Sequence, residues 1–259
     1  MKAISIAEGY QYLGNLDSAA NQTCSTLDIL KKGVENLTKA SLKPQQRLYI
    51  IRTNLLPRLL HTAVLGRLSK NTLIYLDKIT RAAVSCWLRL PKDTHTGFFH
   101  ASYRDGGLDL PVLKLVVPIL RTKRMARLAI YPDPVVRAVS EMAIFQQDFR
   151  RWSAPLSAYG VPIQDMAGIK TAMGKALHES VDGRGLRESR NAGYVNTWMV
   201  TRTAMLSGNN FVQCLKLNGN LMYTALRATR DRPDRDARCG IMDSRGWLIM
   251  RAPVIPVRG

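Results

Sequence analysis

The sequence predicts a mainly α protein: a helical bundle preceded by a short β-hairpin and followed by a second helical region. Three observations carry this. Apolar residues recur every three or four positions through long stretches, period-two alternation is confined to the first thirteen residues, and Pro, Gly and Asp clusters fall between the periodic stretches. At 259 residues the chain can bury a substantial core, in one large or two modest domains.

Residues 3 to 13 place Ile4 and Ile6, then Tyr10 and Tyr12, in alternation about Gly9, which predicts two short strands. So small a hairpin cannot bury itself, so the chain is expected to begin partway through a larger domain. From Gln22 to Lys39, Leu27, Leu30, Val34 and Leu37 mark the packed face of a helix and Lys31, Lys32 and Glu35 its wet side. Pro44 suits the first residue of the next helix, whereas Pro57 lies inside apolar sequence and predicts a kink or restart near Asn54. In straight-helix phase Lys43, Arg47, Asn54 and Arg58 share a side. Arg52 points the opposite way, toward a buried and paired role.

The helix predicted from Ser69 to Leu88 is cleaner. Leu73, Leu76, Thr80, Ala83, Val84 and Trp87 share one sector, and Lys70, Lys78, Arg81 and Arg89 share another with Ser85. Beyond Pro91, Asp105-Gly106-Gly107 signals a turn, and Pro111 starts a helix whose Leu113, Val116, Val117 and Leu120 are core candidates. That helix ends in Arg121, Lys123, Arg124 and Arg127, where the helix dipole alone favours cations. Tyr131 to Pro134 breaks the chain, and residues 135 to 180 read as helical pieces separated by Pro155, Gly160 to Pro162, and Gly168. Asp182 to Gly185 reads as a loop, and Ser207 to Asn210 as a turn able to cap a helix over 211 to 226. The last twenty residues have no period and do not resemble the end of a folded domain.

Charge is the strongest functional signal. The formal net charge is +19, and the stretch from Ser41 to Lys92 holds Lys43, Arg47, Arg52, Arg58, Arg67, Lys70, Lys78, Arg81, Arg89 and Lys92 against the single acid Asp77. A Lys/Arg face is most often merely solvated, but solvated faces normally mix both signs. The near absence of acids over two successive helices therefore favours a polyanion partner, with phosphate contacts releasing counterions. The candidate nucleic-acid-binding residues are Lys43, Arg47, Arg58, Lys70, Lys78, Arg81 and Arg89.

Catalytic chemistry is not evident. Cys24, Cys86, Cys214 and Cys239 are too widely spaced for a zinc half-site and read as reduced, mostly buried thiols of an intracellular protein. Asp105 reads as a turn residue, and Asp231, Asp234 and Asp236 alternate with arginines that compete with a metal. His61, His95, His100 and His178 are scattered, and a lone histidine on an apolar helix, such as His61, is usually a packing residue. No phosphate loop, secretory signal or membrane-spanning run is present in these residues, and no catalytic or metal-ligating residue is assigned.

Several motifs nevertheless stand collinear: YQYLG (10–14), LKPQQRLYIIRTNLLPRLLH (42–61), LDKITRAAVSCWLRLPKDT (76–94), FFHASYRDGGLDLP (98–111), SVDGRGLRE (180–188) and SGNNFVQCLKLNGN (207–220). They resemble the reverse transcriptase of site-specific non-LTR retrotransposons, the group that inserts into ribosomal RNA genes and carries a restriction-like endonuclease. The resemblance implies that Tyr12, Leu13 and Gly14 mark the palm-to-thumb junction beside the primer grip, and that residues 42 to 91 are thumb helices. Arg47, Arg52, Arg58 and Arg81 stand within the matching motifs. It implies residues 1–17 as the end of a palm domain, 18–95 as a thumb-like helical domain, 96–230 as a helical linker, and 231–259 as a truncated, disordered remnant of a zinc knuckle. Arg238-Cys239 falls where that knuckle begins, but no Cys or His follows Cys239. The implied function is template-primer binding within an RNA-directed DNA polymerase, a nucleotidyltransferase using target-primed synthesis in the nucleus. An RNA template, a DNA primer or target, and magnesium in the full-length parent are implied with it. The catalytic carboxylates of polymerase and endonuclease are expected outside these residues, so the chain alone is not expected to catalyse. A free-standing helical nucleic-acid-binding protein and a degenerate copy are the alternatives.

Overall fold

The computed structural model describes residues 11–12, 15–16, 19–66, 68–191, 198–201 and 206–222. It is mainly helical, as expected, with two short antiparallel hairpins. The first pairs β1 (Gln11–Tyr12) with β2 (Asn15–Leu16). Most of the hairpin expected about Gly9 lies outside the described residues, and Tyr12 finds its partner downstream instead. Residues through Leu221 form one compact unit; Met222–Gly259 form a second, described only at Met222, so the expected knuckle remnant and tail lie outside the described residues.

Helix α1 (Ala19–Lys39) begins three residues before its predicted start and buries Leu30, with Leu27, Val34 and Leu37 packed beside it. The predicted break at Pro57 takes a specific form. Helix α2 (Pro44–Ile50) passes through a π-helical turn at Ile51–Leu55 into α3 (Leu56–Leu65). Pro57 thereby occupies the first turn of α3, where a missing N–H costs least. The wider turn advances the chain by about one residue relative to α-geometry, so Arg58 no longer keeps the straight-helix phase of Lys43 and Arg47. Gly33 lets α1 approach this turn: a Cβ there would stand 2.7 Å from Leu55 Cδ1.

Helix α4 (Lys70–Leu88) is capped by Ser69, whose hydroxyl accepts the Thr72 N–H at 3.1 Å. Its predicted packing face is buried in full, and Trp87 Nε1 donates to Thr38 Oγ1 of α1 at 2.9 Å. Asp77, counted above as the acid of a basic surface, is inside, 2% exposed. Its carboxylate oxygens accept the Leu113 and Lys114 N–H groups at 2.8 and 3.0 Å. These are orphan donors at the start of α6 (Leu113–Ala129), whose N-cap residue Val112 offers no side-chain bond.

Between α4 and α6, α5 (Thr96–His100) runs into a turn that folds back on it: Leu108, Leu110 and Asp109 N–H groups bond the carbonyls of Phe98, Phe99 and Ala101. Gly107 is required there, since a Cβ would lie 2.3 Å from the Ala101 carbonyl oxygen. Asp105 is more than a turn residue. It accepts from Ser102 Oγ, pairs with Arg190 and offers its carbonyl to His178 Nε2, tying the turn to the C-terminal helices.

After α7 (Pro134–Glu141) and α8 (Ala143–Trp152), the expectation of helical pieces fails at residues 156 to 163. There β3 (Leu156–Ala158) pairs with β4 (Val161–Ile163). Tyr159 and Gly160 have φ of 52° and 74°, the two positive values a tight two-residue hairpin turn demands. Gly168 also fails as a separator, because Asp165 Oδ1 caps at Gly168 N and α9 (Met166–Glu179) runs through it. The expected loop at 182 to 185 is half helical, since α10 is Arg184–Asn191. After α11 (Trp198–Thr201), Ser207 caps α12 (Gly208–Asn218) as anticipated, although the helix stops at Gly219 rather than 226. His61 and the thiols Cys86 and Cys214 are exposed, contrary to the buried roles expected of them; they fall on helix faces away from the core.

Removing the Asp77 carboxylate with Asp77→Ala should cost about 2 to 3 kcal/mol, because two buried backbone donors lose their acceptor. Urea titration followed by far-UV circular dichroism measures this, and an unchanged midpoint would show that α6 needs no external cap.

Candidate nucleic-acid interface

The predicted basic residues divide by environment. Arg58, Lys70 and Lys78 are exposed, and Lys43 is exposed at the N-cap position of α2. Arg89 closes α4 in a left-handed conformation, φ 50°, and is exposed. Arg47 and Arg81 are half-buried. Tyr12 lies in β1, while Leu13, Gly14 and Arg67 fall outside the described residues. Among the described residues none of these seven cations is in an ion pair.

Two of them converge. Arg47 and Arg89 line one open cavity of about 370 Å³ with Trp87 as apolar wall and Gly208 and Asn209 at the N-terminus of α12. Arg47 is held there by a bond from Nη2 to the Ala40 carbonyl at 2.9 Å, while its buried Nε has no partner. Gly208 packs tightly on Pro44, where a Cβ would stand 2.8 Å from Pro44 Cδ. Burial, and then the charge of Arg89, push the Lys216 ammonium below its ordinary value. Cations and a helix N-terminus thus crowd a cavity without an acid among its lining residues. The capping role of Ser207 was legible in the sequence; that α12 would return to α2 was not.

Arg81 faces a different cavity, of about 450 Å³, lined also by Thr96, His100, Lys114, Ser157 and Tyr159. His100 Nδ1 is 3.0 Å from the Leu110 carbonyl, which can only accept, so Nδ1 carries the proton. Burial pushes His100 down to about 4; the Leu110 bond opposes this, and the charges of Arg81 and Lys114 add to it. The ring is neutral near pH 7, and its buried Nε2 accepts nothing. Asp77, beneath the same helix starts, is raised to about 6 by burial, against its two backbone bonds and the nearby cations.

Arg52, expected to be buried and paired, is neither fully buried nor in an ion pair among the described residues. It is half-buried with its guanidinium 4.8 Å from the Tyr103 ring centroid, and burial lowers its pKa while Asp109 opposes. Arg121, in the basic run ending α6, is likewise internal, bonding the Val64 carbonyl and lying 4.5 Å from the Trp152 ring centroid. Among the described residues no group of His, Cys, Asp and Glu could hold a metal ion, and no helix is long and apolar enough to cross a membrane.

The structure shows a helical unit with basic cavities free of acids among their lining residues, and the relatives make it particular. No protein-family model matches the chain. It is 32% identical over 231 residues to the Pol polyprotein of the type-2 retrotransposable element R2DM of Drosophila melanogaster, covering 89% of this chain and 22% of that protein. It is 27% identical over 233 residues to an R2 Pol polyprotein of Popillia japonica, covering 89% of this chain and 47% of that protein. An R2 Pol polyprotein of Bradysia coprophila is 26% identical over 240 residues, 92% of this chain and 28% of that protein. The chain is therefore related to a segment of R2 retrotransposon Pol polyproteins, as the resemblance in its motifs implied. It spans between about a fifth and a half of these relatives' lengths.

Arg52→Ala should lower stability by about 1 kcal/mol and leave duplex affinity unchanged, whereas Lys78→Ala should do the reverse. Paired chemical melts and fluorescence anisotropy separate the two roles. For His100, the unfolded ring takes up a proton near pH 6.5 and the folded ring only near 4. Its contribution is present above pH 6.5 and lost as pH falls toward 4, by about 3 kcal/mol. Asp77, which titrates in an overlapping window with the opposite sign, is common to wild type and His100→Asn. The stability difference between those two proteins should therefore change with pH across that window, and a constant difference would refute the assignment.

Proposed function

We propose that this chain supplies the template-primer-binding part of an R2-type RNA-directed DNA polymerase, with residues 18–95 as its thumb-like portion and 96–230 as the helical linker. The observation that carries the reading is the convergence of Arg47 and Arg89 with the α12 N-terminus in one cavity free of acids. Backbone N–H groups at a helix start and unpaired guanidinium groups suit phosphate oxygens. Lys43 beside this cavity, and Lys70, Lys78 and Arg58 on exposed faces, extend the positive surface along the chain. Relatives named as retrotransposon Pol polyproteins support a nucleic-acid ligand, and an RNA template with a DNA primer is the ligand proposed.

The described residues do not fit a divalent metal, so no chemical step is derived through one. Their part is to bind and orient the duplex. Magnesium belongs to the proposal only for the whole polymerase, and nuclear action follows from the proposed DNA target. The primer-grip neighbourhood of Tyr12, Leu13 and Gly14 is likewise part of this proposal.

Affinity for an RNA/DNA duplex should fall linearly in a log-log plot against salt, each neutralised phosphate contributing roughly 0.7 to 0.9 to the slope. The double charge reversal Lys70→Glu/Lys78→Glu should weaken binding at least about tenfold and flatten that slope by about 2, with an unchanged thermal melt. Salt-independent affinity, or affinity indifferent to the double reversal, would sink the proposal.

A further inference from the structure

We infer that the cavity between α4, the start of α6 and the β3–β4 turn is a binding site for a single unpaired nucleotide of a nucleic-acid strand. Its phosphate would lie on Arg81 and Lys114, and its base between Tyr159 and His100. This rests on the nucleic-acid reading above and goes beyond it, since contact with a duplex backbone requires no base pocket.

The mouth and the floor ask for opposite chemistry. Arg81 and Lys114 form no ion pair among the described residues, although the buried Asp77 carboxylate lies near both, and their outward N–H groups draw an anion. His100 is 97% buried in the wall, since its exposure is 3%. Its Nδ1–H is spent on Leu110, so the remaining ring nitrogen offers only a lone pair; nothing in the protein donates to it, and it is sealed from solvent, so a ligand meets it only by displacing the wall around the ring. A bare phosphate satisfies the cations and leaves the imidazole nitrogen unmet. A ligand that joins an anion to a ring bearing an N–H donor answers both, and a nucleotide is that ligand.

Shape agrees. The volume of about 450 Å³ is in the range of small-molecule sites, and Val112, Leu115 and Met173 supply apolar surface for a planar ring. Tyr159, 46% exposed, stands at the lip on a turn whose positive φ places a bulky residue where glycine or asparagine is usual. Its ring lies 5.9 Å from that of His95, centroid to centroid, leaving a platform for base stacking. Only an unpaired base fits, because pairing consumes the donors and a duplex cannot enter a cavity of this size.

The test uses the full chain with uridine, cytidine, adenosine and guanosine 5′-monophosphates, and with ribose 5-phosphate as the ligand lacking a base. Histidine-selective ¹⁵N NMR reads the His100 Nε2 resonance directly. At least one mononucleotide should bind saturably and shift that resonance, and ribose 5-phosphate should bind at least about fivefold more weakly. His100→Asn keeps a donor for Leu110 but loses the Nε2 acceptor; it, Arg81→Ala and the surface variant Tyr159→Ala should each weaken binding about five- to tenfold. Tyr159→Ala changes an exposed turn, so it keeps the test decisive if His100→Asn fails to fold. In a second arm the same variants should weaken a duplex carrying a single-stranded overhang more than a blunt duplex. No saturable mononucleotide binding, equal binding of ribose 5-phosphate, or equal losses on blunt and overhanging duplexes each overturns the inference. The blunt duplex with Lys70→Glu/Lys78→Glu reports separately on the proposed function, so the two can fail independently.

Discussion

Asp77 is the residue on which the rest of the arrangement depends. One carboxylate on α4 holds the first two N–H groups of α6, and so fixes the helix that runs across the core to the one that carries the basic face. The contact does two things at once. It satisfies donors that Val112 cannot cap, and it removes the only acid of the 41–92 stretch from the surface. The outward face of α4 is consequently basic without a compensating charge of its own.

Two places in the C-terminal half of α4 inherit this. Arg89 at its C-terminus meets Arg47 and α12, and Arg81 one turn beyond Asp77 meets Lys114 at the α6 start that Asp77 anchors. Anchoring α6 in this way presents Lys114 beside Arg81, with the Asp77 carboxylate near both. The basic surface and the helix packing therefore share one set of contacts, rather than occupying separate faces.

The sequence made the helices legible wherever an amphipathic period lasted several turns, as in α1 and α4, because burial of one face there dominates every local preference. It set Arg52 apart by helix phase, and Arg52 does turn to the Tyr103 ring, but Arg47 and Arg81 are half-buried as well. It misread 156–163, where Pro155, Gly160 and Pro162 signal a break equally well whether helices or strands flank it. Asp77 escaped because its role depends on a helix thirty-six residues later, and a single-sequence pattern carries no such distance. The cavities were invisible for the same reason: Arg47 with Gly208, and Arg81 with Tyr159, meet only through tertiary packing. Exposure of Cys86 and Cys214 shows the converse, that residue type alone is a weak guide to burial when the core has other occupants.

The π turn at Ile51–Leu55 gives the rod from Pro44 to Leu65 an internal phase offset. Arg47, upstream, is committed to a cavity under α12, while Arg58, downstream, faces solvent. A straight α-helix would couple these two directions rigidly, so that reorienting one end would drag the other. The π turn replaces the straight-helix phase with another fixed offset of about one residue, so one continuous helix presents Arg47 and Arg58 in different directions.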